Sequence, residues 1–223
     1  MESAPPDSAS PKSLLERALT DVLEQADDVD PTRVRLLDAA FDLFCRRGIQ
    51  RTSMEQVAKR ADLSRITVYR KFETKDALVD QVMLREFRRY FAQFLTDIRL
   101  AQTTADRVVV GFVSSLRAIG GNPLIGGLIE SESTLVVGSL IGDDGKMVAT
   151  VREFVAGQLR REQRAGYIAA AVDVDLVAEM MVRISASFLT IPSRIVDLGD
   201  DGQLERIARQ FLVPMLDGPG ALG

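Results

Sequence analysis

Residues 64–71 carry the side chains best suited to bind a nucleic acid. They offer guanidinium, hydroxyl, phenol and ammonium groups on Arg65, Thr67, Tyr69, Arg70 and Lys71. On a helix, Val68 and Phe72 lie four residues apart and face inward, which leaves the polar side chains outward. Such groups hydrogen-bond base edges in the major groove and the phosphates beside it. The pattern therefore predicts a helix that binds double-stranded DNA.

A shorter helix and a tight turn precede this helix and position it. Thr52 is predicted to cap the first helix, and Glu55 three residues later to complete a capping box. The buried stripe of that helix consists of Met54, Val57, Ala58 and Ala61. Asp62-Leu63 then makes the turn, because Asp tolerates the left-handed conformation better than most residues. Ser64 is predicted to cap the second helix, which runs to about Phe72.

Two longer helices flank this predicted helix-turn-helix. The first, over about residues 32–47, carries Val34, Leu37, Phe41 and Phe44 at helical spacing and is followed by Gly48. Thr74 is predicted to cap the second, which links the unit to the rest of the chain. The apolar residues along the inner side of that helix are Leu78, Val82, Phe87, Phe91, Phe94 and Ile98.

The order of these residues resembles the DNA-binding half of the TetR family of bacterial transcription regulators. The matching positions are Phe44, Gly48, Thr52, Val57, Ala58, Ala61, Leu63, Ser64, Thr67, Val68, Tyr69, Phe72, Lys75, Asp76 and Leu78. Three positions depart from the family pattern: Asp62 stands where Gly is common, Ile66 replaces a small residue, and Lys71 replaces a frequent His. The last two lie on or beside the predicted DNA-reading surface, so the target sequence of a relative does not transfer.

The resemblance and the outward positions together give a set of predicted DNA contacts. They are Thr52, Ser64, Arg65, Ile66, Thr67, Tyr69, Arg70, Lys71 and Lys75. Arg65 is the best candidate for a base edge, since it opens the second helix. Thr52, Tyr69, Lys71 and Lys75 are expected mainly to meet phosphates.

The charge distribution agrees with a DNA-binding segment, although the whole chain of 223 residues has a net charge of −4. Residues 31–90 carry 14 basic and 8 acidic groups, a net charge of +6. Residues 1–30 have a net charge of −6, and residues 91–223 a net charge of −4. The local field decides phosphate attraction, and it is positive where the motif lies.

The composition argues against an enzyme and against a metal sensor. The chain has no histidine, which removes the commonest general base and zinc ligand. No phosphate-binding glycine loop is present, and no cofactor is expected. The single cysteine, Cys45, excludes an intrachain disulfide framework and is predicted to be a small buried hydrophobe. A redox sensor at Cys45 would need exposure and a lowered pKa.

The longest run without a charged residue, Ala118 to Ile129, is twelve residues long. This is shorter than the roughly 20 apolar residues that span a bilayer. No basic segment followed by an apolar core begins the chain, so no secretory signal is predicted. We therefore expect a cytoplasmic protein.

Nearly every other segment has a helical period, which predicts an all-α fold. Three units are predicted: an acidic extension over residues 1–30, a helix-turn-helix domain over 31–78, and a helical domain over 79–223. One helix is predicted from Arg107 to Ile119. Asn122-Pro123 is a start signal, and two short helices are predicted from there to about Ile141. Further helices are predicted from near Asp144 to Arg164, over 173–192 and over 202–216. Helix 173–192 has apolar residues on more than one side and must pack against more than one neighbour.

The resemblance implies a homodimeric repressor that a small ligand releases from a near-palindromic operator. It implies a dimer through residues 173–192 and 202–216, although burial within one chain explains the apolar helix equally well. The inner faces of residues 79–223 suit a hydrophobic ligand, with Ser114, Ser115, Arg117, Glu130 and Glu132 as polar candidates. These stripes are also explained as ordinary core. The alternative function is a DNA-binding regulator that a protein partner controls or that responds to no ligand.

The acidic extension contains one predicted amphipathic helix. Residues 2–11 are rich in Ser and Pro and are predicted to be disordered. Ser13 to Glu16 reads as a capping box, and Leu14, Leu15, Ala18, Leu19, Val22 and Leu23 follow at helical spacing. We expect the apolar face of this helix to dock on the protein body. The acidic residues of the extension are then turned away from DNA or paired with basic residues such as Arg33 and Arg35. A loosely attached acidic tail without a role is the alternative.

Overall fold

The computed structural model describes residues 14–23, 30–131 and 146–217, and it contains no β-strand in these ranges. The α-helices are α1 (Leu14–Leu23), α2 (Pro31–Arg47), α3 (Met54–Arg60), α4 (Arg65–Lys71), α5 (Lys75–Leu100), α6 (Thr104–Gly121), α7 (Pro123–Ser131), α8 (Lys146–Arg164), α9 (Val174–Thr190) and α10 (Asp201–Ile207). The all-α prediction is confirmed, with an N-terminal helix-turn-helix domain and a C-terminal helical domain. The predicted helix that ends near Ile141 lies outside the described residues.

The N-terminal domain forms because α2, α3 and α4 bury their apolar stripes in one core with the start of α5. The core residues include Leu36, Ala40, Phe44, Val57, Val68, Phe72, Leu78 and Val82. Gly48 ends α2 at φ +80°, and its amide donates to the Phe44 carbonyl. Asp62 has a φ of +52°, so the predicted left-handed turn residue between α3 and α4 is confirmed.

The cap of α3 differs from the prediction by one residue. Ser53, not Thr52, is the N-cap, and it shares a reciprocal capping box with Gln56 instead of Glu55. The Thr52 hydroxyl donates to the Gly48 carbonyl at 2.9 Å, and only 3% of this residue is exposed. Burial against the end of α2 therefore commits Thr52 to the loop and leaves the cap to its neighbour.

Helix α5 joins the two domains. Thr74 caps it as predicted, because its hydroxyl accepts from the amide of Ala77. With 26 residues, α5 is about 39 Å long. Its first turns belong to the core of the DNA-binding domain, whereas Phe91 and Leu95 are buried in the C-terminal domain. One rigid element therefore spans both domains and crosses the predicted boundary after Leu78.

The C-terminal domain packs α6, α8, α9 and α10 around a second apolar core. Its buried residues include Val109, Phe112, Leu116, Leu159, Ala178, Met181, Leu204 and Leu212. Phe112 on α6 and Phe188 on α9 meet edge to face, with ring centroids 6.0 Å apart. Such pairs stabilise a helix interface beyond the area that they bury.

The last predicted helix is not continuous. The α-helix ends at Ile207, a π-helical turn spans Ala208–Leu212, and a 3₁₀ turn spans Val213–Leu216. Pro214 explains the change, because it has no amide proton with which to continue the α-helical ladder.

Helix α1 docks on α5 and also contacts α8. Ala18 is fully buried in a cluster with Leu84 and Phe91. The Asp21 carboxylate accepts a hydrogen bond of 2.7 Å from Nε of Arg88. The predicted cap Ser13 and the residues before it lie outside the described part of the chain.

Two acids of the extension pair with basic residues that were not named in the prediction. Asp21 pairs with Arg88 on α5, and Asp30 pairs with Lys71. The Arg33 guanidinium donates to Gln81 and lies over the Phe72 ring, and Arg35 donates to the carbonyl of Ala61. The described acid of α1 therefore pairs with α5, the helix on which α1 docks.

Among the described helices, none combines the length and the apolar character that a bilayer crossing requires.

Candidate DNA-binding surface and ligand cavity

Helix α4 presents the side chains predicted to read DNA. Ser64 caps it, with its hydroxyl accepting from the Thr67 amide at 3.1 Å and lying 2.9 Å from the Thr67 hydroxyl. Val68 is fully buried and anchors the helix in the core, while 79% of Ile66 is exposed on the opposite face. The exposed face, which we call the reading surface, consists of Ser64, Arg65, Ile66, Thr67, Tyr69 and Arg70.

Arg65 is held at the head of the reading surface. Its guanidinium pairs with the Glu55 carboxylate at 3.0 Å, and it lies over the Tyr69 ring at 5.3 Å. The pKa of Glu55 is lowered, first by a hydrogen bond from its own backbone amide, then by a hydrogen bond with the Ser53 hydroxyl, and then by the positive charge of Arg65. Glu55 therefore stays ionised and orients Arg65, which remains 65% exposed and accessible to a DNA base edge.

Lys75, Lys71 and Thr52, three of the residues predicted to contact phosphates, lie in different surroundings. Lys75 is partly exposed, and its ammonium donates to the Gln50 carbonyl at 3.1 Å. Lys71 is instead paired with Asp30 at 2.6 Å at the head of α2, and this hydrogen bond lowers the pKa of Asp30. Thr52 is buried. In this conformation Lys71 is engaged with Asp30 and the Thr52 hydroxyl with the Gly48 carbonyl, so a phosphate contact by either side chain requires an exchange of partners.

Cys45 lies half-buried against the same core. Burial, followed by the nearby carboxylates of Glu86 and Asp42, raises the pKa of Cys45. A raised pKa suppresses the thiolate, so the structure favours the predicted packing role over a redox role.

A cavity of about 790 Å³ lies between α5, α6, α8 and α9. This volume falls within the roughly 300–1,000 Å³ range of small-molecule sites. Most of its wall is apolar, and the largest side chains in it are Met83, Phe87, Tyr90, Phe91, Phe94, Ile98, Phe112, Phe154 and Leu189. Phe87, Phe94 and Ile98 lie on the predicted inner side of α5, but they face this space and not a filled core.

Polar groups interrupt the apolar wall at its two ends. Near the DNA-binding domain, Glu86 is only 5% exposed and accepts from the Asn122 side chain at 3.0 Å. At the far end, Glu162 on α8 accepts hydrogen bonds of 2.6 Å from Thr104 and Arg107. The cavity is thus an apolar space with few polar groups, the usual character of a small-molecule site.

The cavity is connected to the DNA-binding domain through α7 as well as α5. The side-chain oxygen of Asn122 accepts from the amides of Leu124 and Ile125 at 3.0 Å, which confirms the predicted start of α7. Leu124 is buried in the core of the DNA-binding domain. Ile49 and Gln50, from the end of α2 and the loop after it, also line the cavity. The cavity wall and the DNA-binding domain therefore meet at Leu124, Ile49 and Gln50.

The helix-turn-helix segment matches a known family. The sequence profile described as "Bacterial regulatory proteins, tetR family" covers residues 36–82, which run from α2 through the reading surface into α5. Residues 36–82 are therefore identified as a TetR-family DNA-binding segment. The chain accordingly carries the helix-turn-helix of a DNA-binding transcription regulator.

Two relatives and a solved structure are similar to this chain over most of its length. The uncharacterized HTH-type transcriptional regulator Rv1255c of Mycobacterium tuberculosis is 27% identical over 82% of this chain and 84% of its own length. The HTH-type transcriptional regulator UidR of Escherichia coli is 26% identical over 73% of this chain and 82% of its own length. The structure of GusR from Salmonella enterica has a TM-score of 0.62 at 22% identity, covering 86% of this chain and 98% of GusR. This last similarity shows the shared fold.

Of the described polar residues predicted from the sequence as cavity candidates, only Ser115 lines the cavity. Ser114 donates to Asp97 on α5 at 2.7 Å, and Arg117 pairs with Asp201 at the surface. Both predictions are wrong, because these residues face the other side of α6. The side chains of Glu130 and Glu132 lie outside the described residues.

Sequence reasoning missed the main polar groups of the cavity: Glu86, Tyr90, Thr104, Arg107, Asn122 and Glu162. Two of them interrupt the apolar spacing of α5, which was a usable signal. Arg107 and Glu162 are 55 residues apart in the sequence, so their pairing depends on tertiary packing.

Proposed function

We propose that this chain is a homodimeric repressor that a small hydrophobic ligand releases from a near-palindromic operator. The observation that carries the proposal is the apolar cavity of about 790 Å³, whose wall continues into the DNA-binding domain. A ligand that favours one arrangement of this wall biases the position of α4, provided that it binds the two arrangements with different affinity. We keep residues 1–30, 31–78 and 79–223 as the proposed functional units.

The DNA contacts that we propose are Ser64, Arg65, Ile66, Thr67, Tyr69, Arg70 and Lys75. All but Lys75 belong to the reading surface, and Lys75 follows it at the head of α5. Arg65 is proposed to read a base edge, because a guanidinium can bond two acceptors of guanine at once. Tyr69 and Lys75 are proposed to bind phosphates, which position the helix.

Dimerisation is supported by apolar side chains on the outer face of the C-terminal domain. Leu176 and Met180 on α9 are 59% and 42% exposed, and Phe211 beyond α10 is 54% exposed. The opposite side of α9 is buried in the core, so this helix has apolar residues on two sides. A symmetric interface over 173–192 and 202–216 would cover these outer residues. It would place the two α4 helices of the dimer so that they reach DNA half-sites about one turn of the double helix apart, or a multiple of one turn.

The alternative is a DNA-binding regulator controlled by a protein partner, or one without ligand control. In either case the relatives are named as transcriptional regulators, which supports a regulatory rather than a catalytic role. A thermal-shift screen with fatty acids, acyl-CoAs and hydrophobic drugs separates these functions, because a ligand that binds the folded state raises its melting temperature. Hits that also release a selected operator support the repressor, whereas a screen without any hit favours the alternative.

A further inference from the structure

Carboxylates outnumber cationic groups around the cavity. Among its described lining residues, Asp76, Asp80, Glu86 and Glu162 are acidic and only Arg107 is basic. Arg107 is paired with Glu162 at 2.6 Å. The described wall therefore has no unpaired cation with which to receive an anionic group, and the cost of burying an unpaired charge is high.

The carboxylates are placed along the path into the cavity. Asp76 and Asp80 lie one turn apart on α5, exposed, at the end where Gln50 also lines the opening. Glu86 is buried, and its Oε1 pairs with Arg89 at 3.0 Å and lies 3.6 Å from Nε of Arg85. Its Oε2 accepts one hydrogen bond, from Asn122, and a carboxylate oxygen has room for a second. The exposed carboxylates of Asp76 and Asp80 and the second acceptor site of Glu86 Oε2 are the groups that can meet a positive charge.

Aromatic rings form the middle of the wall. The ring centroid of Tyr90 lies 5.0 Å from that of Phe91 and 5.8 Å from that of Phe94. The ring centroid of Phe154, on α8, lies 6.3 Å from that of Phe91 and 5.8 Å from that of Phe94. Aromatic faces attract cations, most strongly where water is excluded. The same rings provide apolar area for the body of a ligand.

The Tyr90 hydroxyl adds a polar anchor inside this aromatic group. Within the described residues it makes no hydrogen bond, and Tyr90 lines the cavity one turn beyond Glu86. Burial raises the pKa of Tyr90, so the hydroxyl stays protonated. Because Tyr90 lies on the cavity wall, its hydroxyl can form a hydrogen bond with a polar group on a bound ligand.

We infer that the cavity takes a lipophilic cation, meaning an aromatic or alkyl body that carries an ammonium or phosphonium group. The aromatic side chains pack on the body, and Glu86 with the carboxylates at the opening balances the charge. This inference rests on the proposed ligand-responsive function, and it narrows the ligand class of the same cavity. Fatty acids and acyl-CoAs are then poor ligands, because the described wall offers their anionic groups no free partner.

Three probes of similar shape and different charge test the inference on the full-length protein. Tetraphenylphosphonium is the cation, tetraphenylborate the anion, and triphenylphosphine oxide the neutral compound. Calorimetric titration and thermal shift are expected to show tetraphenylphosphonium binding at least about tenfold more tightly than the other two, a difference equivalent to about 1.4 kcal/mol. Phosphonium binding that exceeds the other two in this way supports the inference.

Other rankings overturn the inference in distinguishable ways. If tetraphenylborate or the neutral oxide binds as tightly as tetraphenylphosphonium, the charge class is wrong and the ligand-responsive function stands. If none of the three binds, the result contradicts both the ligand class and the proposed use of the cavity.

Matched variants locate the bound charge. Glu86→Gln is expected to weaken tetraphenylphosphonium binding about tenfold and to leave the neutral oxide unchanged, since Coulomb attraction is lost but shape is kept. Glu153→Gln removes a carboxylate from α8 that is paired with Arg160 outside the cavity, and it serves as the control without effect. Should Glu86→Gln fail to fold, Asp80→Asn at the exposed opening is the second variant. Equal phosphonium affinity in wild type, Asp80→Asn and any folded Glu86→Gln would overturn the assignment.

Discussion

Asn122 donates a hydrogen bond of 3.0 Å from Nδ2 to Oε2 of Glu86, and this contact joins two parts of the molecule with different roles. Glu86 belongs to the cavity wall on α5, while Asn122 caps α7. Leu124, two residues after Asn122, is buried in the core of the DNA-binding domain. We propose that a ligand at Glu86 alters this contact and, through α7 and Leu124, the DNA-binding domain.

The variant Asn122→Asp tests this restraint. It keeps the oxygen that caps α7, but it removes the donor and sets a second carboxylate against Glu86. We expect a loss of unfolding free energy of about 1–3 kcal/mol and weaker operator binding, measured by chemical denaturation and gel shift.

The control for Asn122→Asp is Gln93→Glu, which makes the same amide-to-carboxylate change. Gln93 donates to Asp97 on the exposed surface of α5, where water screens the repulsion. Equal stability and equal operator affinity in both variants would show that the Glu86–Asn122 contact restrains nothing.

Arg65→Ala is expected to weaken operator binding by about 1–3 kcal/mol and to relax the base preference at one position. The reason is the loss of a guanidinium that Glu55 and Tyr69 hold at the head of α4. Fluorescence anisotropy with systematically substituted duplexes measures both effects. Arg161→Ala, an exposed arginine on α8, is the control. Unchanged affinity and base preference in Arg65→Ala would remove α4 as the reading element.

Lys75→Ala is expected to weaken binding to all sequences alike. One phosphate contact is lost, so the slope of log affinity against log salt falls by about one unit. Titrations at several salt concentrations, with operator and with an unrelated duplex, check this expectation. A slope equal to that of the wild type would mean that Lys75 meets no phosphate.

Phe211→Glu is expected to convert a dimer into a monomer that no longer binds the operator, because a charge enters an apolar interface. Sedimentation velocity at micromolar concentration, without DNA, measures the change. Leu100→Glu alters a residue that is 77% exposed at the end of α5, away from the proposed interface, and should remain dimeric. A monomeric wild-type protein would refute the proposed assembly.

Ala18→Gln tests the docking of α1. Ala18 is fully buried against α5, so a larger polar side chain should undock the helix and lower the unfolding free energy by about 1–3 kcal/mol. Arg17→Gln introduces the same residue at the neighbouring exposed position and should change stability by less than about 0.5 kcal/mol. If the two variants melt together, α1 contributes no packing energy and the loosely attached tail is the better description.

The local order of the DNA-binding domain was predictable, because its signals are short-range. The Ser64 and Thr74 caps, the Asp62 turn and the buried Val68 all follow from residues within one helical turn of each other. The misplaced cap of α3 shows the limit of such signals. Thr52 and Ser53 both offer a hydroxyl three residues before Glu55 or Gln56, and the choice is made by burial of Thr52 against α2.

The cavity was less predictable, because an apolar stripe looks the same whether it faces a core or a space. Phe91 and Phe94 both belong to the predicted inner side of α5, yet Phe91 is buried and Phe94 remains partly exposed to the cavity. The polar ends of the cavity depend on distant pairs such as Arg107 with Glu162.

We propose above all that a ligand in the cavity and an operator on α4 oppose each other's binding. The direct measurement is the affinity of the wild-type protein for an operator selected from random duplexes, with and without a saturating compound that stabilises the protein in the thermal-shift screen. We predict at least about tenfold weaker operator binding with the compound and, by linkage, an equal loss of compound affinity when the operator is bound. Unchanged operator affinity with the cavity occupied would contradict the account.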